Sequence, residues 1–307
     1  MVGMQGPEQV APGMKVGIHI PQWGPDATRE GVLSVARAAE DAGLDSVWVA
    51  DHVVFPLRSE STYPYGHDGA PFAPEDGFLE AFTTLAAIAG ATKRVALATS
   101  VLVLPMREPL QVAKTVATLD VLSGGRVIVG IGAGWWEEEF RALGAQFERR
   151  GRRKDEQIGI LRTLWRDGSM AHRGEFYEFK ELVCEPRPLQ IGGPPILIGG
   201  MGSAGRRRAG RLGDGWHALG SHEGTLAEGF ADVQQIARAA GRGDCEVALS
   251  TSAGLPPDPE RAVRRLTRLK RTGVGHVVLN VPGNTAADIC SAIKRLGAEV
   301  MPDVRAA

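Results

Sequence analysis

Residues 95–140 read VALATSVLVLPMREPLQVAKTVATLDVLSGGRVIVGIGAGWWEEEF. An apolar run at Val95–Ser100 is followed by Pro109–Leu122, which has the spacing of an amphipathic helix, and then by a second apolar run at Val127–Ile131. Strands that are apolar almost throughout and are joined by a helix predict a parallel sheet covered by helices. The same alternation extends in both directions. Further strands are predicted at Lys15–Ile20, Ser46–Ala50, Ile196–Ile198, Gly215–Ala218, Glu246–Ser250 and His276–Asn280. Helices are predicted at Thr28–Ala42, Gly77–Ala91, Arg152–Arg166, Ala204–Leu212, Thr225–Ala240, Pro259–Arg271 and Ala286–Leu296. Eight strand–helix pairs is the number that closes a barrel, so the expected fold is α/β, a single (β/α)8 TIM barrel. A length of 307 residues alone would allow two domains, but eight pairs leave one, over residues 15–307 behind a flexible tail at 1–14.

Three stretches exceed what barrel loops need. Phe55–Asp76 follows the second strand, carries four prolines and has no periodicity, so it reads as a rim over the active face. Gly134–Gly151 follows the fourth strand and is partly helical. Gly168–Pro195 contains HRGEFYEFKELV, whose alternation predicts a short hairpin before the fifth strand.

Composition narrows the function. Lys plus Arg number 35 against 36 Asp plus Glu, so no global field is present to hold nucleic acid or an anionic membrane. Cys184, Cys245 and Cys290 are odd in number and widely spaced, which fits a reduced, cytoplasmic setting better than a disulfide framework. MVGMQGPEQVAPGM lacks the apolar stretch of a signal peptide or anchor, and no metal-ligand spacing is present. Glycine occurs 40 times, about twice average usage, and gathers at strand ends.

In a parallel barrel the chemistry sits at the carboxyl ends of the strands. The second strand ends VWVADH, which puts Asp51 and His52 there. A histidine at that position can serve as acid or base, although an Asp–His pair can also simply cap a loop. Thr99, Ser100 and Val101 end the third strand, where small hydroxyls can satisfy its last backbone groups. Gly130, Gly132 and Gly134 end the fourth and would let a flat ligand approach the backbone. Of Glu137, Glu138 and Glu139, at least two read as helix-start charges. After the fifth strand, Gly199, Gly200, Met201 and Gly202 form a turn. Ser203 is the expected N-cap of a helix whose free N–H groups would face an anion, with Arg206 adding charge.

VWVADH, SVLVLPMREPLQVAKTVATLDVLSGGRVIVGIGAGWWEEEF and PPILIGGMGSAGRRRAGRLGDGWHA together resemble the luciferase-like monooxygenase superfamily, and within it the branch that uses the deazaflavin coenzyme F420. The resemblance runs from about Lys15 to Leu296. It implies a homodimeric barrel binding F420, with FMN as the alternative cofactor, supplied reduced by a separate reductase in a two-component monooxygenase. By the same resemblance, Asp51 and His52 line the ring edge and His52 carries a proton. Thr99, Ser100, Val101, Gly132 and Gly134 lie at the ring, with a non-proline cis peptide at Ser100–Val101. Gly199, Gly200, Met201 and Gly202, with Arg206, hold the phosphate. Relatives that oxidise glucose 6-phosphate place a glutamate where this chain has Trp135 and a tryptophan where it has Pro56, so that substrate is not expected. Glu138 or Glu137 is then the candidate acid, and Phe55, Trp135 and Trp136 are expected to shape an apolar substrate pocket.

Overall fold

The computed structural model describes residues 13–64, 75–219, 223–243 and 248–307. In chain order the strands are β1 (Lys15–His19), β2 (Ser46–Val49), β3 (Ala96–Thr99), a two-residue β4 (Leu102–Val103), β5 (Val127–Gly132), β6 (Ser169–Arg173), β7 (Glu178–Val183), β8 (Ile196–Gly199), β9 (Gly215–Ala218), β10 (Ala248–Gly254) and β11 (Val274–Asn280). Eight of them pair in parallel in the order β3-β2-β1-β11-β10-β9-β8-β5, and β5 pairs back to β3. The sheet is therefore a closed barrel. β4 continues along β5, with Leu102 opposite Ile131, and β6 and β7 form the expected antiparallel hairpin.

The helices are α1 (Arg29–Asp41), α2 (Ala81–Ala91), α3 (Pro109–Ser123), α4 (Glu137–Ala142), α5 (Arg150–Asp167), α6 (Ser203–Leu212), α7 (Glu223–Ala239), α8 (Pro259–Arg271), α9 (Ala286–Arg295) and α10 (Met301–Ala306). Their starts are set by side chains that take up the orphan N–H groups of the first turn. Thr28 accepts from Gly31 N at 3.0 Å, and Thr285 and Asp288 cap each other's backbone in a capping box. Sequence periodicity placed the second helix at Gly77, whereas α2 begins at Ala81 because Glu80 caps it, accepting from Thr83 N at 2.7 Å. Ser203 is not the cap of α6. It is the first helical residue, and Gly202 holds the cap position. The predicted strand at Glu246 falls partly outside the described residues, as do most of the 1–14 tail, part of the rim at 65–74, and Cys245. The C-terminal turn at Leu296–Val300 and α10 had no expectation in the sequence.

The barrel interior is filled by pairing one large residue with glycines opposite. Trp48 on β2 is fully buried and clusters with Ala98, Leu197 and Val278 across the axis. A Cβ on Gly17 would lie 2.7 Å from Trp48 Nε1, and one on Gly215 2.5 Å from Leu197. Both distances are shorter than real Cβ atoms show, so these glycines are there to admit the indole and its neighbours. Among the described residues no helix is long and apolar enough to cross a membrane.

Candidate active site

At the mouth of the barrel, β2 delivers His52 and the loop after β5 delivers α4, and the two elements meet. His52 Nδ1 donates to Glu139 Oε2 at 2.8 Å, while Glu139 Oε1 accepts the backbone N–H of Val53 at 2.7 Å. Glu139 is 1% exposed. A carboxylate only accepts, so it fixes a His52 proton on Nδ1 and leaves Nε2 as the acceptor nitrogen of the neutral ring. The imidazole is ringed by aromatics, with centroids at 5.5 Å for Phe55, 5.7 Å for Phe78, 6.2 Å for Trp135 and 5.6 Å for Trp136. Trp135 and Trp136 stack at 4.9 Å, and Trp136, nearly buried, donates to Ser59 Oγ at 2.8 Å. Trp135 and Phe55 are thus the partly exposed faces of the wall, with Trp136 bracing it from behind.

Glu138, the expected acid, points elsewhere. Its carboxylate accepts from Ser61 Oγ at 2.6 Å and Glu60 N at 2.6 Å, and the Ser61 hydroxyl together with these backbone donors lowers its pKa to about 2. Such a group holds no proton to give near neutrality. Instead it ties the segment after β2 to α4, as Glu139 does at His52 and Val53.

The expected ring-lining roles of Asp51 and Thr99 also change. Asp51 has a fully buried side chain that accepts from Arg107 Nη2 at 2.5 Å, Arg107 Nε at 3.1 Å and Val103 N at 2.9 Å. Thr99, 1% exposed, donates to Gly130 O at 2.8 Å. Both hold the scaffold in place. Gln22, on no expectation, clamps the end of β2 by accepting from Ala50 N at 2.6 Å and donating to Ala50 O at 2.8 Å and Leu79 O at 2.7 Å.

Between β3 and β4 the Ser100–Val101 peptide is cis, at the position the family resemblance named. Val101 lies across the tops of β5 and β8. A Cβ on Gly132 would sit 2.5 Å from Val101 Cγ2, and one on Gly199 3.1 Å from Val101 Cγ1. A Cβ on Gly134, which has φ +78°, would meet Phe140 and Val103 at 2.6 Å. These glycines therefore make room for protein side chains, and Val101 is the apolar floor they admit. Past β8, in contrast to these three, glycine faces open space. Gly202 has nothing within 4 Å of a Cβ, and Gly200, at φ +120°, turns the chain into the exposed first turn of α6. In that turn Gly205 N donates to Gly202 O at 2.9 Å, whereas the N–H groups of Ser203 and Ala204 precede any intrahelical acceptor. Arg206 braces the loop from below, through Met201 O at 2.8 Å and Asp232 at 2.6 Å.

Under the floor runs a chain of hydroxyls and imidazoles that the sequence reading missed. Ser100 Oγ bonds His217 Nε2 at 2.9 Å, and His217 Nδ1 bonds Ser250 Oγ at 2.9 Å. Trp48 stacks on His217 at 5.1 Å and donates from Nε1 to Ser46 Oγ at 2.7 Å, which in turn bonds His276 Nε2 at 2.7 Å. The clue lay in strand alternation, since Gly215 and His217 share the inward face of β9. Burial, reinforced by the other imidazoles for His217 and by Lys15 for His276, lowers both pKa values from 6.5 to about 3. Both are neutral in the fold. Below pH 6.5 the unfolded chain takes up protons that the folded chain refuses, so stability falls as pH drops from about 6.5 towards 3. Each histidine contributes about 1.4 kcal/mol per pH unit. His19, its pKa lowered by burial to about 4, adds a third such contribution, so urea unfolding at pH 7.5 and 5.5, above the carboxylate range, should differ by about 4 kcal/mol. Equal stabilities at the two pH values would contradict neutral His217 and His276.

The mouth of the barrel thus presents an apolar floor, an imidazole held at one nitrogen inside an aromatic wall, and an open glycine turn at a helix start. A flat ring with an anionic tail fits those residues, the ring over Val101 and the tail at Gly202 and α6. The chain belongs to the luciferase-like monooxygenase family, whose model matches residues 12–294. It is 37% identical over 211 residues to an uncharacterized protein of Mycobacterium tuberculosis, covering 68% of this chain and 72% of that one. It is 35% identical over 191 residues to an F420-dependent glucose-6-phosphate dehydrogenase of Amycolatopsis mediterranei, covering 60% of this chain and 52% of that one. An FMNH2-dependent dimethylsulfone monooxygenase of Pseudomonas putida is 35% identical over 169 residues, covering 53% and 45%. Among solved structures, an F420-dependent secondary alcohol dehydrogenase in complex with an F420–acetone adduct superposes with a TM-score of 0.75 at 22% identity, covering 95% of this chain and 99% of that one.

Proposed function

We propose that this chain is an oxidoreductase that moves a hydride between bound coenzyme F420 and a small organic substrate. The observation that carries the reading is His52, oriented by a buried carboxylate and walled by Phe55, Phe78, Trp135 and Trp136 beside the Val101 floor. A bound deazaflavin supplies hydride transfer without one-electron or oxygen chemistry. The chain's own residues do the rest. Val101 supports one face of the ring, Trp135 and Phe55 exclude water from the substrate side, and His52 Nε2 takes or gives the accompanying proton. The glycine turn and the first turn of α6 hold the anionic tail. The aromatic wall around one imidazole, among the described residues, favours a small alcohol or carbonyl compound over a sugar phosphate. Cytoplasmic location and a homodimer belong to this proposal as well.

The Pseudomonas relative favours a second reading, in which FMN is supplied reduced by a partner reductase and oxygen is the co-substrate. The floor and the turn would serve either ring. Titration of the purified protein with F420 and with reduced FMN, followed by fluorescence and absorbance, separates the two. The first reading expects micromolar binding of F420, tighter than that of FMN. Preference for FMN favours the second reading, and binding of neither ring overturns both.

A further inference from the structure

Lys154 is 1% exposed, and among the described residues no oxygen accepts a hydrogen bond from its ammonium and no carboxylate pairs with it. It stands in the first turns of α5, on the face that also buries Ile158, Leu161 and Trp165, and so faces the barrel strands. Helices of a barrel start where the strands end, so this end of α5 lies at the mouth. Helical side chains lean towards the helix N-terminus, which carries a lysine here further towards the mouth.

Its charged neighbours mark the place. Arg150 Nε donates to Gly134 O at 3.2 Å, just past β5. Arg208 donates to Ala204 O at 3.3 Å, in the first turn of α6, and pairs with Asp155 at 2.6 Å. Both arginines act electrostatically on Lys154, together with the single opposing charge of Asp155. Glu137 and Glu148 act on Arg150 in turn, which leaves Asp155, already paired with Arg208, as the one carboxylate acting on the buried Lys154 side chain. Burial of an unpaired ammonium is unfavourable unless an anion joins it.

We propose that Lys154 is a positioning residue that supplies the cation of the cofactor's phosphate site, reaching from α5 to a phosphoryl group seated on the Gly200–Gly202 turn and the first turn of α6. The proposal rests on the ring-cofactor reading above and names what discriminates the tail. Burial, helped by Arg208 and Arg150, lowers the Lys154 pKa to about 8, so the site is charged at neutral pH and loses its charge in mildly alkaline solution.

The test compares the parent, Lys154→Met and Lys154→Arg. Methionine removes the charge but fills the space, and Lys154→Met should melt at or above the parent temperature, which verifies its fold. Affinity is measured for F420 and FMN and for the same rings without phosphate. The parent should prefer the phosphorylated forms at least tenfold. Lys154→Met should lose most of that preference with ring affinity unchanged, and Lys154→Arg should retain most of it. The parent's preference should also decline above about pH 8 while that of Lys154→Met stays flat. A separate arm needs no cofactor: inorganic phosphate should raise the melting temperature of the parent, relative to chloride at equal ionic strength, but not that of Lys154→Met. An undiminished phosphate preference or an equal phosphate shift in Lys154→Met overturns the assignment. If neither ring binds but the phosphate shift depends on Lys154, the cofactor reading falls and the anion site stands.

Discussion

Replacement of His52 by alanine is expected to lower turnover by about 10²–10⁴-fold, the usual contribution of a positioned acid or base, with cofactor affinity nearly unchanged. The side chain is held at one nitrogen by Glu139 at 2.8 Å and enclosed by aromatic rings, so no water replaces it in a fixed geometry. Glu139→Gln tests the orientation itself. The amide keeps an acceptor for Val53 N but offers His52 a donor or a neutral oxygen in place of a carboxylate. Turnover should fall by about 10–100-fold with little change in KM, since the proton carrier is mis-set and not removed. Single-turnover rates with a secondary alcohol or its ketone provide the readout. A His52→Ala enzyme within threefold of the parent would remove His52 from the mechanism.

Replacement of Arg107 by methionine is expected to destabilise the fold by about 3–5 kcal/mol, because it leaves a buried carboxylate without its partner. Asp51 has no exposed side-chain surface and takes two of its three hydrogen bonds from that guanidinium. For a chain of this size the loss corresponds to a fall in melting temperature of roughly 6–15 °C. Arg107→Met combined with Asp51→Asn should recover much of it, since the asparagine oxygen still accepts from Val103 N. A single variant that melts within 2 °C of the parent would mean that Asp51 is satisfied some other way.

Much of the scaffold was legible in the sequence because parallel strands covered on both faces are apolar throughout and their helices repeat at 3.6 residues. The eight pairs, the hairpin before β8 and the position of His52 follow from that alone, and the cis bond followed from family resemblance. The choice among Glu137, Glu138 and Glu139 did not, since consecutive helical residues point about 100° apart and three like residues look interchangeable. The decisive signal was present in their neighbours. Trp136, Glu139 and Phe140 stand at i, i+3 and i+4, one buried face, and that spacing selects Glu139. Asp51 stands at the expected strand end, but its ion pair is not legible in the sequence, because Arg107 lies 56 residues away and pairs only in the fold. The glycines after β5 were read as room for a ligand when the occupant is Val101, a contact between strands that no local pattern encodes.

Val101 and the glycines beneath it share one volume. An added methyl at 132 calls for a smaller residue at 101, and one at 199 presses more lightly on the same side chain, so these positions are coupled. A barrel of this strand number has a fixed width, yet how deep a molecule sinks into its mouth is governed by the reach of a single isopropyl group. Trimming that group would lower the seat without disturbing the walls, which on the proposed cofactor reading makes position 101 the place to retune ring choice.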